Sequence, residues 1–376
     1  MPHVVIDARR IRDFGIGTYI RNLVRGLSRL EHKNRYTLII PSNDISELQG
    51  LGSNFDTAVY SHLDTEVMHN IAFPNFLRTL HANLYHIPLN SVAWWMPQPY
   101  VLTIHDMSTL LFPAHRSFRN RMHEARYRRG ALRAARVIAV SNSTRRDVET
   151  VLHVPAGRIS TIYSAPDPAF TADSPGAEQD SHILERYSIR KPFILYAGTI
   201  RPQKNVPRLI EAFAVLRSEL EHQPEFRELR LVIIGDELSK YPGVRRAVVS
   251  SRVENFVRFL GFVPADTLRV FYRAAAAFAF PSLYEGFGLA PLEAMACGTP
   301  VVASNLPSLV EAVGDAAELV SPDNVFDIAR GIRDVLLDQD RRCALIAAGP
   351  AQARRFNWDH TAQQVLDIYR DINSNS

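Results

Sequence analysis

The 376 residues, 46% hydrophobic and 22% charged, suffice for a substantial core and suit two domains better than one. No run of roughly 18 apolar residues offers a membrane span, the start Met1-Pro2-His3 lacks the pattern of a signal peptide, and two cysteines, Cys297 and Cys343, cannot build a disulfide framework. The formal charge of +4 comes with no recognisable nucleic-acid-reading module, so the expectation is a cytoplasmic protein without a nucleic-acid partner.

Residues 4–7 read as a first buried strand ending at Asp7, and a glycine-containing loop leads into a helix over 18–30. A second strand spans 36–40 and stops at Pro41, while the interval 41–84 shows no clear pattern. Short strands follow at 84–87 and 100–104. Between Arg116 and Arg146 stand ten arginines and one acidic residue, Glu124. The helical part of that stretch, 117–136, would offer a basic face to an anionic membrane or a phosphate-bearing acceptor. The plainer alternative is a solvated helix in a chain that uses arginine freely. A strand at 137–140 precedes Ser141-Asn142-Ser143-Thr144, a helix-start signal.

After a turn-rich region at 155–188, with a Ser- and Asp-rich loop expected at 171–180, the pattern restarts. Strands at 193–196, 231–234, 257–259, 278–280 and 301–303 are interleaved with helices at 207–220, 267–275 and 289–296. Short apolar strands alternating with helices specify parallel sheets covered on both faces. The fold class is therefore α/β, with two Rossmann-like domains in series. Sheets of this kind bind ligands beyond the C-terminal ends of their strands, and two facing domains would share one cleft that closure could dry.

The richest segment runs from Pro281 to Pro300, with Glu285, Gly286, Phe287, Gly288, Leu289 and Glu293 in a strand–turn–helix setting. Free amides at the helix start favour an anion such as a diphosphate. Carboxylates accept paired hydrogen bonds from vicinal hydroxyls, so Glu285 and Glu293 suit a sugar and a ribose. Two other readings compete. The carboxylates alone could merely favour a helix N-terminus, or act as a hydrolytic pair roughly 5–9.5 Å apart. The adjoining glycines favour binding roles. A second cluster, Gly198 to Asn205, places Arg201 and Lys204 after a strand, where they would neutralise a departing diphosphate. In the first half, Gly15 and Gly17 open a helix and could bring amides to a ligand, but Ile20 occupies the last glycine position of the dinucleotide fingerprint. His105 and Asp106 end another strand. No local pattern suits a metal, and nucleophile-elbow and phosphate-loop motifs are absent.

Together these segments resemble the large retaining glycosyltransferase family 4, with its two-domain GT-B fold. The resemblance is strongest from Phe280 to Val301, and extends through Gly15-Ile16-Gly17, Thr103 to Asp106, Ala139 to Arg146, Gly198 to Asn205, Leu309 to Asp315 and Phe356-Asn357-Trp358. It implies that Glu285 contacts the donor sugar and phosphate side, that Glu293 holds the ribose, and that Lys204 binds the diphosphate. Gln203 stands where the family often has arginine, with Arg201 nearby. It further implies that Gly15 and Gly17 approach the ligands, that His105 contacts sugar, and that Gly261-Phe262-Val263 lies near the base. Residues 1–170 would form an acceptor-side domain, 171–190 a linker and 191–356 the nucleotide-sugar domain. Residues 357–376 would cross back as a helix onto the first domain.

The chain looks most similar to bacterial mannosyltransferases of surface-polysaccharide assembly. That implies GDP-mannose as donor, no other cofactor and no metal. The acceptor would be a saccharide or a polyprenyl-diphosphate-linked saccharide, met on the inner face of the cytoplasmic membrane. Retention without a protein nucleophile would follow. UDP-glucose or another nucleotide sugar is the nearest alternative, and a nucleotide-sugar epimerase or a non-catalytic nucleotide-sugar-binding protein the more distant ones.

Overall fold

The structure, a computed structural model, describes residues 1–60, 62, 68–112, 118–173, 176–236 and 241–374, the side chains of 45, 118–120 and 177 aside. Arg116, the first arginine of the basic stretch, lies outside the described residues. The chain divides into two compact units, Met1–Ala165 with Asn357–Ser376, and Pro166–Phe356.

In the first unit the order is β1 (His3–Asp7), α1 (Ile16–Leu30), β2 (Arg35–Ile40), β3 (Phe55–Val59), α2 (His69–Thr79), β4 (Leu84–Ile87), β5 (Tyr100–Ile104), α3 (Ser108–Leu111), α4 (Phe118–Arg133), β6 (Arg136–Ala139), α5 (Asn142–Val151) and β7 (Ile159–Thr161). The strands form one parallel sheet in the order β3-β2-β1-β4-β5-β6-β7. Apolar runs such as Tyr100–Ile104 are buried throughout, as helices on both faces require. Ser141 caps α5 by accepting the Thr144 amide at 2.9 Å, so the polar run after β6 acts as a helix start.

The second unit contains α6 (Ala177–Arg186), β8 (Phe193–Ala197), α7 (Val206–Glu219), β9 (Arg230–Ile234), α8 (Pro242–Ser250), β10 (Val257–Gly261), α9 (Ala265–Ala274), β11 (Ala277–Phe280), α10 (Leu289–Ala296), β12 (Val301–Ser304), α11 (Pro307–Val313), β13 (Ala317–Val320), α12 (Val325–Leu337) and α13 (Gln339–Arg354). Its parallel sheet runs β10-β9-β8-β11-β12-β13. In both sheets the order reverses beside the first strand, between β1 and β4 and between β8 and β11. An open α/β sheet leaves its ligand crevice at such a reversal.

Where a connecting segment was expected at 171–190, the structure has α6, whose Asp180 pairs with Arg273 of α9 at 2.8 Å. The last helix, α14 (Trp358–Ser374), belongs to the first unit. Its buried residues Trp358, Ala362, Val365, Leu366 and Tyr369 recur at helical spacing and pack on α1. A Cβ on Gly26 of α1 would come within 2.7 Å of the Ala362 Cβ, so the glycine permits the close approach.

Candidate functional site

The reversal point of the second sheet brings the two expected loops together. β8 runs into Gly198 and the turn that carries Arg201 and Lys204; β11 runs into the loop that carries Glu285. Lys204 donates through Nζ to both oxygens of Glu285, at 2.6 and 2.7 Å, and lies 5.5 Å from the centre of the Phe280 ring. Their side chains are 19% and 10% exposed, a shielded pair still reachable from solvent.

Asn205 holds that geometry. It adopts a left-handed backbone (φ 60°), which asparagine tolerates better than most residues, and so lets the turn end and α7 begin. Its buried amide donates to the carbonyls of Pro281 at 2.9 Å and Pro322 at 2.7 Å, and the Leu283 amide donates to the Gln203 carbonyl at 2.7 Å. The two loops are thereby stitched by backbone as well as by charge. Arg201 is exposed in the same loop. Nearby Tyr241 is raised above the usual phenol range by burial and by Asp236, with Arg201 acting in the opposite sense. Asp236 accepts the Ile200 amide at 3.1 Å and fixes the start of this loop.

α10 opens at Gly288 with φ 121°, and a Cβ there would come within 2.7 Å of Leu309. The amides of Leu289 and Ala290 begin the helix with no acceptor among the described residues, which makes this end receptive to an anion. Glu293, one turn in, accepts from the Tyr272 hydroxyl at 3.3 Å. Tyr272 is fully buried; that burial and the neighbouring Glu293 push its phenol well up, so it remains a donor. Gly286 is buried, and Phe287 is a core residue set edge-on to Phe356 at 5.1 Å, so its backbone rather than its ring is what a ligand could meet. Phe262, just beyond β10, is 67% exposed.

In the first unit, Gly15 caps α1 with φ 60° and open space where a Cβ would be. Gly17 is different: a Cβ there would meet the Ile11 carbonyl at 2.3 Å, which is a packing demand. The amides of Ile16 and Gly17 donate to Phe14 and Asp13, so neither is open to a ligand. His105 follows β5. The Pro88 carbonyl can only accept, so its 3.0 Å contact makes Nε2 the protonated nitrogen and leaves Nδ1 as an acceptor. Burial lowers the His105 pKa, against the opposing pull of Pro88 and Asp106, and keeps the ring neutral. A buried Asp7–Arg9 pair at 2.6 Å, with Arg9 4.1 Å over the Phe73 ring, closes the end of β1.

On α4 the arginines divide. Arg121, Arg128, Arg129 and Arg133 are exposed and their side chains make no hydrogen bond or ion pair among the described residues, whereas Arg126 turns inward to Asn70 at 3.1 Å and His123 at 3.0 Å. No cluster of three metal-ligating side chains occurs, and no helix is long and apolar enough to cross a membrane, among the described residues.

Asn205 and Tyr272 carried no local signal of their own. An asparagine after a lysine, and a tyrosine in an amphipathic helix, become informative only when the fold sets them against Pro281 and Glu293.

Two family models match the chain. One described as "Glycosyl transferases group 1" matches residues 184–352, and one described as "Glycosyltransferase Family 4" matches 15–170. The chain is 35% identical over 277 residues to the O-antigen chain mannosyltransferase B of Escherichia coli, covering 72% of this chain and 70% of that protein. It is 31% identical over 289 residues to the serotype-specific mannosyltransferase WbdA of Escherichia coli, covering 75% of this chain and 34% of that longer protein. Among solved structures, sucrose-phosphate synthase from Thermosynechococcus elongatus superposes with a TM-score of 0.78 at 19% identity, over all of both chains.

Proposed function

The chain belongs to the glycosyltransferases of group 1 and family 4, and from that premise we propose that it transfers mannose from GDP-mannose, with retention, to a saccharide or lipid-linked saccharide acceptor. Its two doubly wound units are of the GT-B type. The observation that carries the proposal is Lys204 clamped on Glu285 beside the open amides of Leu289 and Ala290. A cation, amides and a carboxylate at one sheet reversal suit a diphosphate joined to a sugar.

When the donor enters, the diphosphate takes over Lys204 and the helix start. Glu285 is released to accept hydrogen bonds from sugar hydroxyls, and Glu293 to hold the ribose. Phe262 flanks the base and Arg201 adds positive charge at the loop edge. As the bond to the anomeric carbon breaks, Lys204 and the amides stabilise the leaving diphosphate. The diphosphate accepts the proton of the acceptor hydroxyl while attack occurs on the same face. His105 accepts a sugar hydroxyl through Nδ1. Mannose as the transferred sugar draws support from the relative that is 35% identical and named as a mannosyltransferase.

We also infer that the protein works on the inner face of the cytoplasmic membrane, with Arg121, Arg128, Arg129 and Arg133 of α4 facing anionic headgroups. The half-exposed Met122 on the same helix adds apolar contact.

The test is a donor–acceptor screen of the purified protein with GDP-mannose, UDP-glucose and acceptor membranes, read by mass spectrometry, with the product linkage assigned by NMR. An α-mannosyl product is expected. A β product from the α donor would sink retention, turnover of UDP-glucose alone would replace the donor, and free-sugar epimerisation without an acceptor product would sink transfer.

A further inference from the structure

One face of the first sheet carries polar side chains where a doubly covered parallel sheet ordinarily carries aliphatic ones. His86 of β4 and Thr103 of β5 have no exposed surface. Thr103 lies on β5, and His105 directly follows the end of that strand. Tyr19 of α1 and Tyr369 of α14, both fully buried, close over them.

The four buried groups are joined end to end. The Tyr369 hydroxyl lies 2.5 Å from His86 Nδ1, His86 Nε2 lies 2.7 Å from Thr103 Oγ1, and Thr103 Oγ1 lies 3.3 Å from the Tyr19 hydroxyl. The Tyr19 ring then meets His105 edge-on, with centroids 4.9 Å apart, and Trp358 of α14 at 5.8 Å.

We propose that Tyr369, His86 and Thr103 form a positioning chain through which the returning C-terminal helix sets Tyr19 and, with it, the ring of His105. Burial lowers the His86 pKa to about 3, so the imidazole is neutral, with one donating and one accepting nitrogen. Each hydroxyl must therefore orient to suit its neighbour, and the linked groups act as a unit. If the hydroxyls served His86 alone, Tyr19 would have no part in the chain. Yet the hydrogen bond to Thr103 is the one that its hydroxyl makes among the described residues, and the same ring flanks His105. His105 is otherwise held at Nε2 by Pro88 and at its amide by Asn90, at 3.0 Å each. The ring face turned to Tyr19 is the side that the chain controls.

The kinetic consequence rests on the sugar-contact role proposed for His105; the positional one does not. The decisive measurement uses full-length ligand-free protein labelled with 15N-histidine. The His105 imidazole resonances are assigned with His105→Gln. Tyr369→Phe and Thr103→Val keep side-chain volume and remove one hydroxyl each, and both should shift those resonances. Thr103→Ser should restore them. With donor and acceptor present, the two shifted variants should lose roughly 10- to 100-fold in kcat with little change in donor Kd, as a misplaced contact does. His105 resonances that superpose on those of the parent in both variants would overturn the chain, whatever happens to Tm. Shifted resonances with unchanged kcat would uphold the chain and count instead against the role of His105 in transfer.

Discussion

Lys204 and Glu285 were visible in the sequence as candidates, but their union was not, because 81 residues separate them. Removing one partner of so shielded a pair leaves an uncompensated charge, at up to about 3 kcal/mol for this partly reachable site. Lys204→Ala should also lower kcat by roughly 100- to 1,000-fold, as loss of leaving-group stabilisation does. Steady-state kinetics with calorimetric donor Kd checks both, and normal affinity with normal turnover would remove Lys204 from the diphosphate site. Asn205 makes a sharper comparison. Asn205→Gly keeps the left-handed backbone and loses the two amide bonds, whereas Asn205→Ala loses both advantages. The alanine variant should be less stable than the glycine variant by about 1 kcal/mol in urea melts. Equal stability would mean that the φ of 60° carries no cost here. Tyr272→Phe should weaken donor binding about 2- to 10-fold by removing one hydrogen bond that orients Glu293, the worth of one ordinary hydrogen bond.

At the scale of elements, strong apolar runs were legible and weak ones were not. The strands expected at 84–87 and 100–104 coincide with β4 and β5. β3 escaped because it is a half-exposed edge strand, and α2 because Pro74 interrupts it. β4 also carries a testable pH dependence through His86. Its pKa near 3 in the fold lies below the unfolded value of 6.5, so the unfolded chain binds more protons between those values. Stability is then complete above about pH 6.5 and falls by up to about 1.4 kcal/mol per pH unit as pH drops toward 3. His86→Gln should flatten that slope in melts taken from pH 7 to 4; an unchanged slope would assign acid sensitivity to other groups. On α4, Arg121→Gln, Arg128→Gln and Arg129→Gln together should abolish low-salt binding to anionic vesicles, and undiminished binding would refute the proposed face.

For the whole molecule, the first unit is discontinuous: its sheet is built by residues 1–165, and its last covering helix arrives after the second unit is complete. Deleting 357–376 would uncover the side of α1 that packs on α14, including Tyr19 and Gly26. Hydrogen exchange should then show lost protection across β1–β7 with protection retained across β8–β13. Uniform protection in the truncated chain would show that α14 is dispensable to the first unit.

The sequence by itself determined that two parallel-sheet units would form, because buried strands must be apolar and turns must carry glycine or proline whatever their partners. It also offered Glu285, Glu293, Lys204 and His105 as candidates, because their charge or ring chemistry is legible at any position. Only the tertiary structure decided that Lys204 meets Glu285, that Asn205 ties down their loops, that Tyr272 meets Glu293, and that His86 joins α14 to the strand that leads to His105. Those are long-range contacts of side chains whose partners lie between 17 and 283 residues away, and local pattern holds no information about which pairs will meet.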